Sequence, residues 1–397
     1  MKRVLILGGG TFEPIRNHLA LSAPAFGTTA KQIHEMVPNS ELVLTTMAHP
    51  DSLLKSNEDV EKHINTLLLD QNVGTIILNV AFCDFKAEPI NDVPNGFHAD
   101  RLKTSEGQIP IILTPTHKII SQIRHKRPDI FLVGFKTTTN KSSEDQFLIA
   151  LHMMKQTKCN LVLANDTVTR LNMVITPEET IYGETTNRRQ ALAELVNITL
   201  LRNNLTYNPS EFRRLPSISI GTTPNTFQQV IKYLVDNKGF IENNGNGFTP
   251  GHFCYKLDNC SFLSSQRKAN HNEVFINGMS LVTVNNDVFT VTGDKKASVG
   301  ARSQWLILQE NPEYDCIIHT HNPLIEGSNI PIAEQRPYQC GSLECGVNTV
   351  TNMKEFNGIK AVYLNKHGAN ILFKSTDPVE KIISFINSNI LLGVKVK

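Results

Sequence analysis

The residues best suited to chemistry are three histidines in the second half of the chain. His319 and His321 flank Thr320, after the apolar run Cys316-Ile317-Ile318. Residues two apart on a strand face the same side, so both imidazoles can point at one metal ion. His367 follows the apolar stretch Ala361–Leu364, in Lys366-His367-Gly368. Three neutral imidazoles with an open position make a catalytic type of divalent metal site, most often zinc. A surface His-x-His pair beside an unrelated histidine is the bland alternative; the third histidine at a strand end favours the metal. A carboxylate beside such a metal can act as general acid and base. Glu344, in Cys340-Gly341-Ser342-Leu343-Glu344-Cys345-Gly346, is the candidate, and Glu326 is a rival. A second, weaker signal lies at the start of the chain. Gly8-Gly9-Gly10-Thr11 follows the apolar run Val4–Leu7. Glycines at a strand end let backbone amides approach a phosphate or carboxylate. The stretch is not G-x-G-x-x-G, so a dinucleotide site is a poor reading, and a tight turn is the plain one.

Two kinds of element must position these residues. Up to about Tyr207, short apolar runs alternate with helix-length stretches. The predicted strands are Val4–Leu7, Leu42–Thr45, Thr75–Val80, Ile130–Gly134 and Asn160–Ala164. Amphipathic stretches Asp59–Leu69, Thr116–His125 and Asp145–Gln156 separate them. That alternation predicts a doubly wound α/β domain with a buried parallel sheet. After Ser210–Pro216 the texture changes. A helix is predicted over Thr223–Asn237, opened by Thr223-Pro224. Short strands follow at Gly251–Leu257, Glu273–Ile276, Ser280–Val284 and Asp287–Thr292, with a hairpin turn at Asn285-Asn286-Asp287. Asn243-Asn244-Gly245-Asn246-Gly247 reads as a flexible turn. A helix at Ala301–Glu310, a strand at Cys316–Thr320 and a helix at Pro378–Asn387 complete an α/β domain with a mainly antiparallel sheet. The division expected is 1–208 and 209–397.

Composition removes several functions. In 397 residues there are 39 Lys+Arg against 37 Asp+Glu, a net charge of +2. Such balance argues against a nucleic-acid binder with a large basic face. No window approaches the roughly 18 apolar residues of a membrane span, so no membrane partner is expected. Seven scattered cysteines without C-x-x-C fit free thiols in a reducing compartment, and the cytoplasm is the expected location.

The two halves resemble two families. Asn311–Pro323, which contains His319-Thr320-His321, and the later Asn365-Lys366-His367-Gly368-Ala369 resemble the class II aldolase/adducin family over about residues 210–397. The resemblance implies zinc, or another divalent metal, on His319, His321 and His367, polarising a substrate carbonyl or enediolate. It also implies phosphate contacts from Gly251, His252, Ser264, Ser265 and Ser298. Aldolase members carry a catalytic Glu where this chain has Gly300, in Lys296-Ala297-Ser298-Val299-Gly300, and an Asn where it has His252. The dehydratase branch, including methylthioribulose-phosphate dehydratase, places its Glu downstream, which implies Glu344. Adducin-like members are assembly modules that usually lack the metal histidines, which this chain keeps.

The first half resembles phosphopantothenoylcysteine synthetase, also called phosphopantothenate–cysteine ligase. The matching segments are Gly8-Gly9-Gly10-Thr11-Phe12-Glu13-Pro14-Ile15, Asn79–Phe85, Arg101-Leu102-Lys103, Phe131–Phe135 and Leu161–Asp166. The resemblance implies CTP or ATP with Mg2+, and an acyl-nucleotide that cysteine then attacks. Asp84 and Lys103 would contact nucleotide, Gly134, Phe135 and Asn165 would line the base or ribose pocket, and Lys155 and Lys158 would reach phosphates. The family's Asn-x-Ser-Ser-Gly-Lys stretch is absent here; Ser22-Ala23-Pro24-Ala25-Phe26-Gly27-Thr28-Thr29 stands instead. The expected protein is therefore a two-domain enzyme: a metal-dependent lyase, aldolase or dehydratase in type, fused to a ligase-like domain. Its substrates are small molecules, and a homo-oligomer is expected. Two alternatives stand beside it: ligation as the main activity with a regulatory or assembly module, and a non-catalytic metabolite sensor controlling the lyase.

Overall fold

The structure, a computed structural model, describes residues 2–89, 100–242 and 247–396, so the Asn-rich stretch 243–246 lies outside the described residues. The chain forms two compact units, Met1–Asn203 and Asn204–Lys397.

The first unit runs β1 (Arg3–Gly10), a hairpin of β2 (Phe12–Arg16) and β3 (Leu19–Ser22), α1 (Thr28–Met36), β4 (Glu41–Leu44), α2 (Asn57–Leu67) and β5 (Val73–Ala81). A second hairpin, β6 (Phe85–Pro89) and β7 (Ile111–Pro115), leads to α3 (Ile119–Lys126), β8 (Phe131–Thr138), α4 (Ser143–Thr157) and β9 (Leu161–Asp166). It ends with β10 (Asn172–Ile175), β11 (Ile181–Thr185) and α5 (Arg188–Arg202). The sheet order is β11-β10-β9-β8-β5-β1-β4. β4, β1, β5, β8 and β9 are parallel, and β10 and β11 add an antiparallel edge. This is the doubly wound sheet that the apolar runs predict. Leu5, Ile6, Leu7, Ile76, Ile77, Leu132 and Val133 are all buried, as strands covered on both faces require. Ile123, Ala150 and Met154 cover one face; Ala30, Ile33 and Leu192 cover the other. Near its end the unit buries an ion pair, Arg202 to Glu178, at 3.0 Å.

The second unit runs β12 (Ser210–Arg214), α6 (Asn225–Asp236), β13 (His252–Lys256), β14 (Ser261–Ser264), α7 (Val274–Asn277), β15 (Ser280–Asn285), β16 (Val288–Gly293) and α8 (Ala301–Gln309). Then come β17 (Cys316–Thr320), β18 (Ile332–Ala333), α9 (Leu343–Asn352), β19 (Lys354–Phe356), β20 (Ile359–Leu364), β21 (Gly368–Phe373) and α10 (Val379–Asn389). Its sheet order is β12-β16-β15-β14-β13-β17-β21-β20-β18. All neighbours are antiparallel except β12 with β16 and β18 with β20. Phe253, Ile318, Ile371 and Phe373 pack one face against α6 and α10. Cys254, Ile317 and Leu372 pack the other with Ile307 and Leu308 of α8. One predicted strand is corrected: residues 273–276 are helical, spanning the 3-10 turn His271–Glu273 and α7. Asn270 caps that turn through the Asn272 N–H, and Gly278 ends it at φ +70°.

Candidate metal centre

Strand register brings the site together. On β13, β17 and β21, His252, His319 and Asn370 are direct cross-strand partners. They share the sheet face covered by α8. His321 lies just past the end of β17, and His367 sits in the tight turn between β20 and β21. That turn explains the Lys-His-Gly sequence. Lys366 adopts φ +58° and Gly368 φ +144°. A Cβ on Gly368 would collide with the Thr320 carbonyl and lie 3.1 Å from the His321 Cα. Only glycine lets the turn press His367 against β17.

The result is a compact donor set. Ligand nitrogens of His319, His321 and His367 lie within 4.8 Å of one another, and among the described residues they form the three-donor cluster. Ring centroids are 4.5–4.9 Å apart. The His319 Nδ1–H donates to the Ala369 carbonyl at 3.0 Å, which fixes the tautomer and leaves Nε2 as a donor. That Nε2 is buried without a hydrogen-bond partner, as a metal ligand would be when no ion is present. Burial, and then the neighbouring imidazoles, hold His319 and His321 well below the usual histidine range. Both stay neutral, the state in which imidazole binds metal. His321 keeps some solvent exposure, so the cluster opens on its side. The C-terminal segment passes there, with Val396 N–H donating to the His321 carbonyl at 2.9 Å.

The other predicted residues of this unit take different places. Glu344 does not join the cluster. It lies in the first turn of α9, and its carboxylate accepts the Thr206 N–H at 3.0 Å. Ser342 caps that helix by accepting the Cys345 N–H. The residues expected to contact phosphate also have packing and backbone roles. Gly251, at φ +98°, lies so close to the neighbouring strand that a Cβ would be 2.7 Å from the His319 carbonyl. Ser264 and Ser265 are almost fully buried, and their hydroxyls serve the backbone at Ser265 and Phe253. Ser298 is half-buried, and its Oγ accepts the Gly300 N–H at 3.3 Å.

His252, expected as a phosphate contact, lies beside the histidine cluster. Its ring stacks on His319, with centroids 4.6 Å apart. A Cβ on Gly300 would collide with the His252 Nε2. The imidazole therefore fills the space beside Gly300. No local signal links residues 48 positions apart in the chain. His271 supports this arrangement. Its Nε2–H donates to the Gly251 carbonyl at 2.9 Å, and burial lowers its pKa to about 4.

In the first unit the predicted nucleotide residues lie on several elements. Gly8–Gly10 are part of β1, paired with β5 through Gly10 opposite Ala81. Side chains added to them would meet Ala30, Ala48 and Met47. The Gly10 N–H donates to the Ala25 carbonyl, and the buried Thr11 hydroxyl bonds Asn57 at 2.6 Å. Gly134 serves packing: a Cβ there would lie 3.0–3.2 Å from Cys159, Met153 and Ile120. Phe135 packs on the core beside it. Lys155 and Lys158 end α4 and precede β9, so they sit at the amino edge of the parallel strands. Ligands of such sheets bind at the carboxyl edge, and Lys155 is paired with Glu179. Asp84, paired with Lys118, and Asn165 do lie at carboxyl ends of strands, while Lys103 is exposed on a loop.

Against known proteins, each half has its own likeness. Residues 1–194 match the family model described as the DNA/pantothenate metabolism flavoprotein C-terminal domain. The coenzyme A biosynthesis bifunctional protein CoaBC of Thermococcus kodakarensis is 29% identical over 175 residues, which cover 41% of this chain and 41% of that protein. The chain thus matches about two fifths of the length of that curated relative. Among solved structures, the DNA/pantothenate metabolism flavoprotein of Streptococcus pneumoniae covers 50% of this chain and 98% of its own, at 20% identity and a TM-score of 0.40. An L-fuculose 1-phosphate aldolase covers 42% and 85%, at 18% identity and a TM-score of 0.30. The corresponding aldolase of Thermus thermophilus covers 42% and 87%, at 14% and 0.30. Among the described residues no helix is long and apolar enough to cross a membrane.

Proposed function

We propose that the second unit is a divalent-metal-dependent lyase acting on a small hydroxy-carbonyl compound, and that the first is a nucleotide-using, phosphopantothenate–cysteine ligase-like module. The observation that carries the lyase reading is the set of three imidazole donors within 4.8 Å. His319, His321 and His367 would hold the ion, with zinc the expected metal. Once bound it would supply Lewis acidity toward a substrate carbonyl or hydroxyl oxygen. The chain's own part is to keep the rings neutral by burial, to fix His319 through the Ala369 carbonyl, and to leave the His321 side open to substrate. A homo-oligomer in the cytoplasm is the expected setting.

Metal analysis of the purified chain tests this, followed by a screen of phosphorylated and free hydroxy-carbonyl compounds for cleavage or dehydration. At least one ion per chain is expected, and His319→Ala should lose the ion held by the three histidines. Unchanged occupancy in that variant would remove the site.

Ligation as the main activity is favoured by a separate observation, the match of residues 1–194. In that reading the first unit uses CTP or ATP with Mg2+ to join 4′-phosphopantothenate to cysteine, and the second is regulatory or assembles the protein. Nucleotide-dependent product formation from those two substrates would support it. Tight nucleotide binding without turnover would favour a metabolite sensor.

A further inference from the structure

The space around the three histidines holds more donors than a three-histidine centre uses. His252 and Cys340 line the same buried cavity as His319 and His367, together with Ser303 and Gln304. Within it the Cys340 Sγ lies 4.0 Å from the His252 Nε2. That separation is long for a hydrogen bond, even to sulfur. It is the spacing of two ligands on one soft ion: zinc bonds of about 2.3 Å to sulfur and about 2.0–2.1 Å to nitrogen put the donors about 3.6 Å apart at a tetrahedral angle and about 4.4 Å apart in line.

We propose that His252 and Cys340 form a second, thiophilic cation subsite beside the three-histidine cluster. The backbone is shaped for it. Gly300 has no side chain to occupy the place taken by the His252 Nε2. Gly341, next to Cys340, adopts φ +86°, and a side chain there would collide with the Val299 carbonyl. The segment carrying Cys340 is thereby pressed onto the segment carrying Gly300. His252 is 6% exposed, and its ring stacks on His319. His319 faces the same cavity with an Nε2 that has no protein partner. The imidazoles of His252, His319 and His367 and the Cys340 thiol on one cavity suit Zn2+ or Cu+ better than Mg2+ or Ca2+, which prefer oxygen. On binding, the Cys340 thiol would release its proton to solvent and ligate as thiolate. Water would complete the coordination.

The setting of this subsite rests on the three histidines being metal ligands, but its donors are different, so the two ideas can fail separately. Co2+ is the probe, titrated into the full chain under reducing conditions and followed by absorption. Sulfur-to-cobalt charge transfer in the near ultraviolet reports Cys340, and the weak visible bands report cobalt at the histidine cluster. The expected result is about two ions per chain, with a charge-transfer band. Cys340→Ser should lose the band and one ion while keeping the visible bands. His252→Ala should behave the same way. His321→Ala should weaken the visible bands and keep the charge transfer. Far-ultraviolet circular dichroism of each variant confirms folding. One ion and no charge transfer in the wild type would overturn the subsite and leave the lyase reading standing. A band that survives in Cys340→Ser but disappears in Cys345→Ser would overturn the assignment to Cys340. No cobalt bound at all would overturn both.

Discussion

Both units place glycines where a central strand ends, and they use the space in opposite ways. In the first unit, Gly8, Gly9 and Gly10 make room for Ala30, Ala48 and Met47. The strand end becomes packed core. In the second unit, Gly251, Gly300 and Gly368 make room for carbonyls and imidazoles of neighbouring strands and turns. The strand end becomes a cluster of nitrogen donors. A glycine run therefore says that something must come close; it does not say what. The chemistry lies in the side chains that fill the vacated space.

The largest test of that contrast is Gly368→Ala. Its Cβ would meet backbone, which cannot swing away. A loss of about 3 kcal/mol or more is expected, together with loss of metal from the second unit, read by thermal unfolding and metal analysis. Gly10→Ala should cost the first unit a similar amount, because its Cβ would meet the backbone at Ala23 and Ala25, while metal content stays unchanged. A variant of Gly368 that folds and keeps its metal would break the comparison.

Next comes His319→Ala, which should weaken metal binding about a hundredfold or more and leave the unfolding of the first unit where it was. A pH series sharpens the contrast further. His271 is held at about 4, below its ordinary 6.5, because it is buried neutral. The unfolded chain takes up that proton first, so stability is complete above pH 6.5 and is lost as pH falls toward 4. The loss is about 3 kcal/mol from this residue alone, and His319 and His321 add to it in the same direction when no metal is bound. His271→Gln should flatten the profile. Asp166 in the first unit has the opposite sign. Burial raises its pKa, but N–H groups of Thr169, Lys141 and Val168 and the Thr138 hydroxyl outweigh this and hold it low. Its contribution is present above the ordinary 3.8 and is lost only as pH falls below that. The second unit should therefore weaken first on acidification. The smallest effect is expected for Glu344→Gln. It weakens the acceptor for the Thr206 N–H, costing about 1 kcal/mol, with metal content intact. Abolished turnover with intact metal would return Glu344 to the active site.

The strands were the legible part of the fold. A buried strand needs a run of apolar residues, and the five runs of the first half all became parallel strands. Residues 273–276 misled because a short apolar run, Val274-Phe275-Ile276, fits a strand or a helical turn equally well; Asn270 and Gly278, which decide it, stand outside the run. The grouping of the three histidines was legible because His-x-His at a strand end and His-Gly in a turn each carry a local geometric meaning. His252 was not, since its role depends on Gly300 and on β13 pairing with β17. The nucleotide residues of the first half rest on likeness; in the structure Gly134 and Gly8–Gly10 pack closely against their neighbours, and Lys155 and Lys158 lie at the amino edge of the parallel strands.

The buried pair of Arg202 and Glu178 bears on how the chain can be divided for experiment. The match to the family model ends at residue 194, a tempting place to cut. A fragment ending there would lack Arg202 and strand the Glu178 carboxylate in the interior, at a cost of about 3–5 kcal/mol. Carrying the fragment through Asn203 retains the counter-charge and the last turns of α5. The nine residues 195–203, beyond the end of that match, thus carry the counter-charge that Glu178 needs.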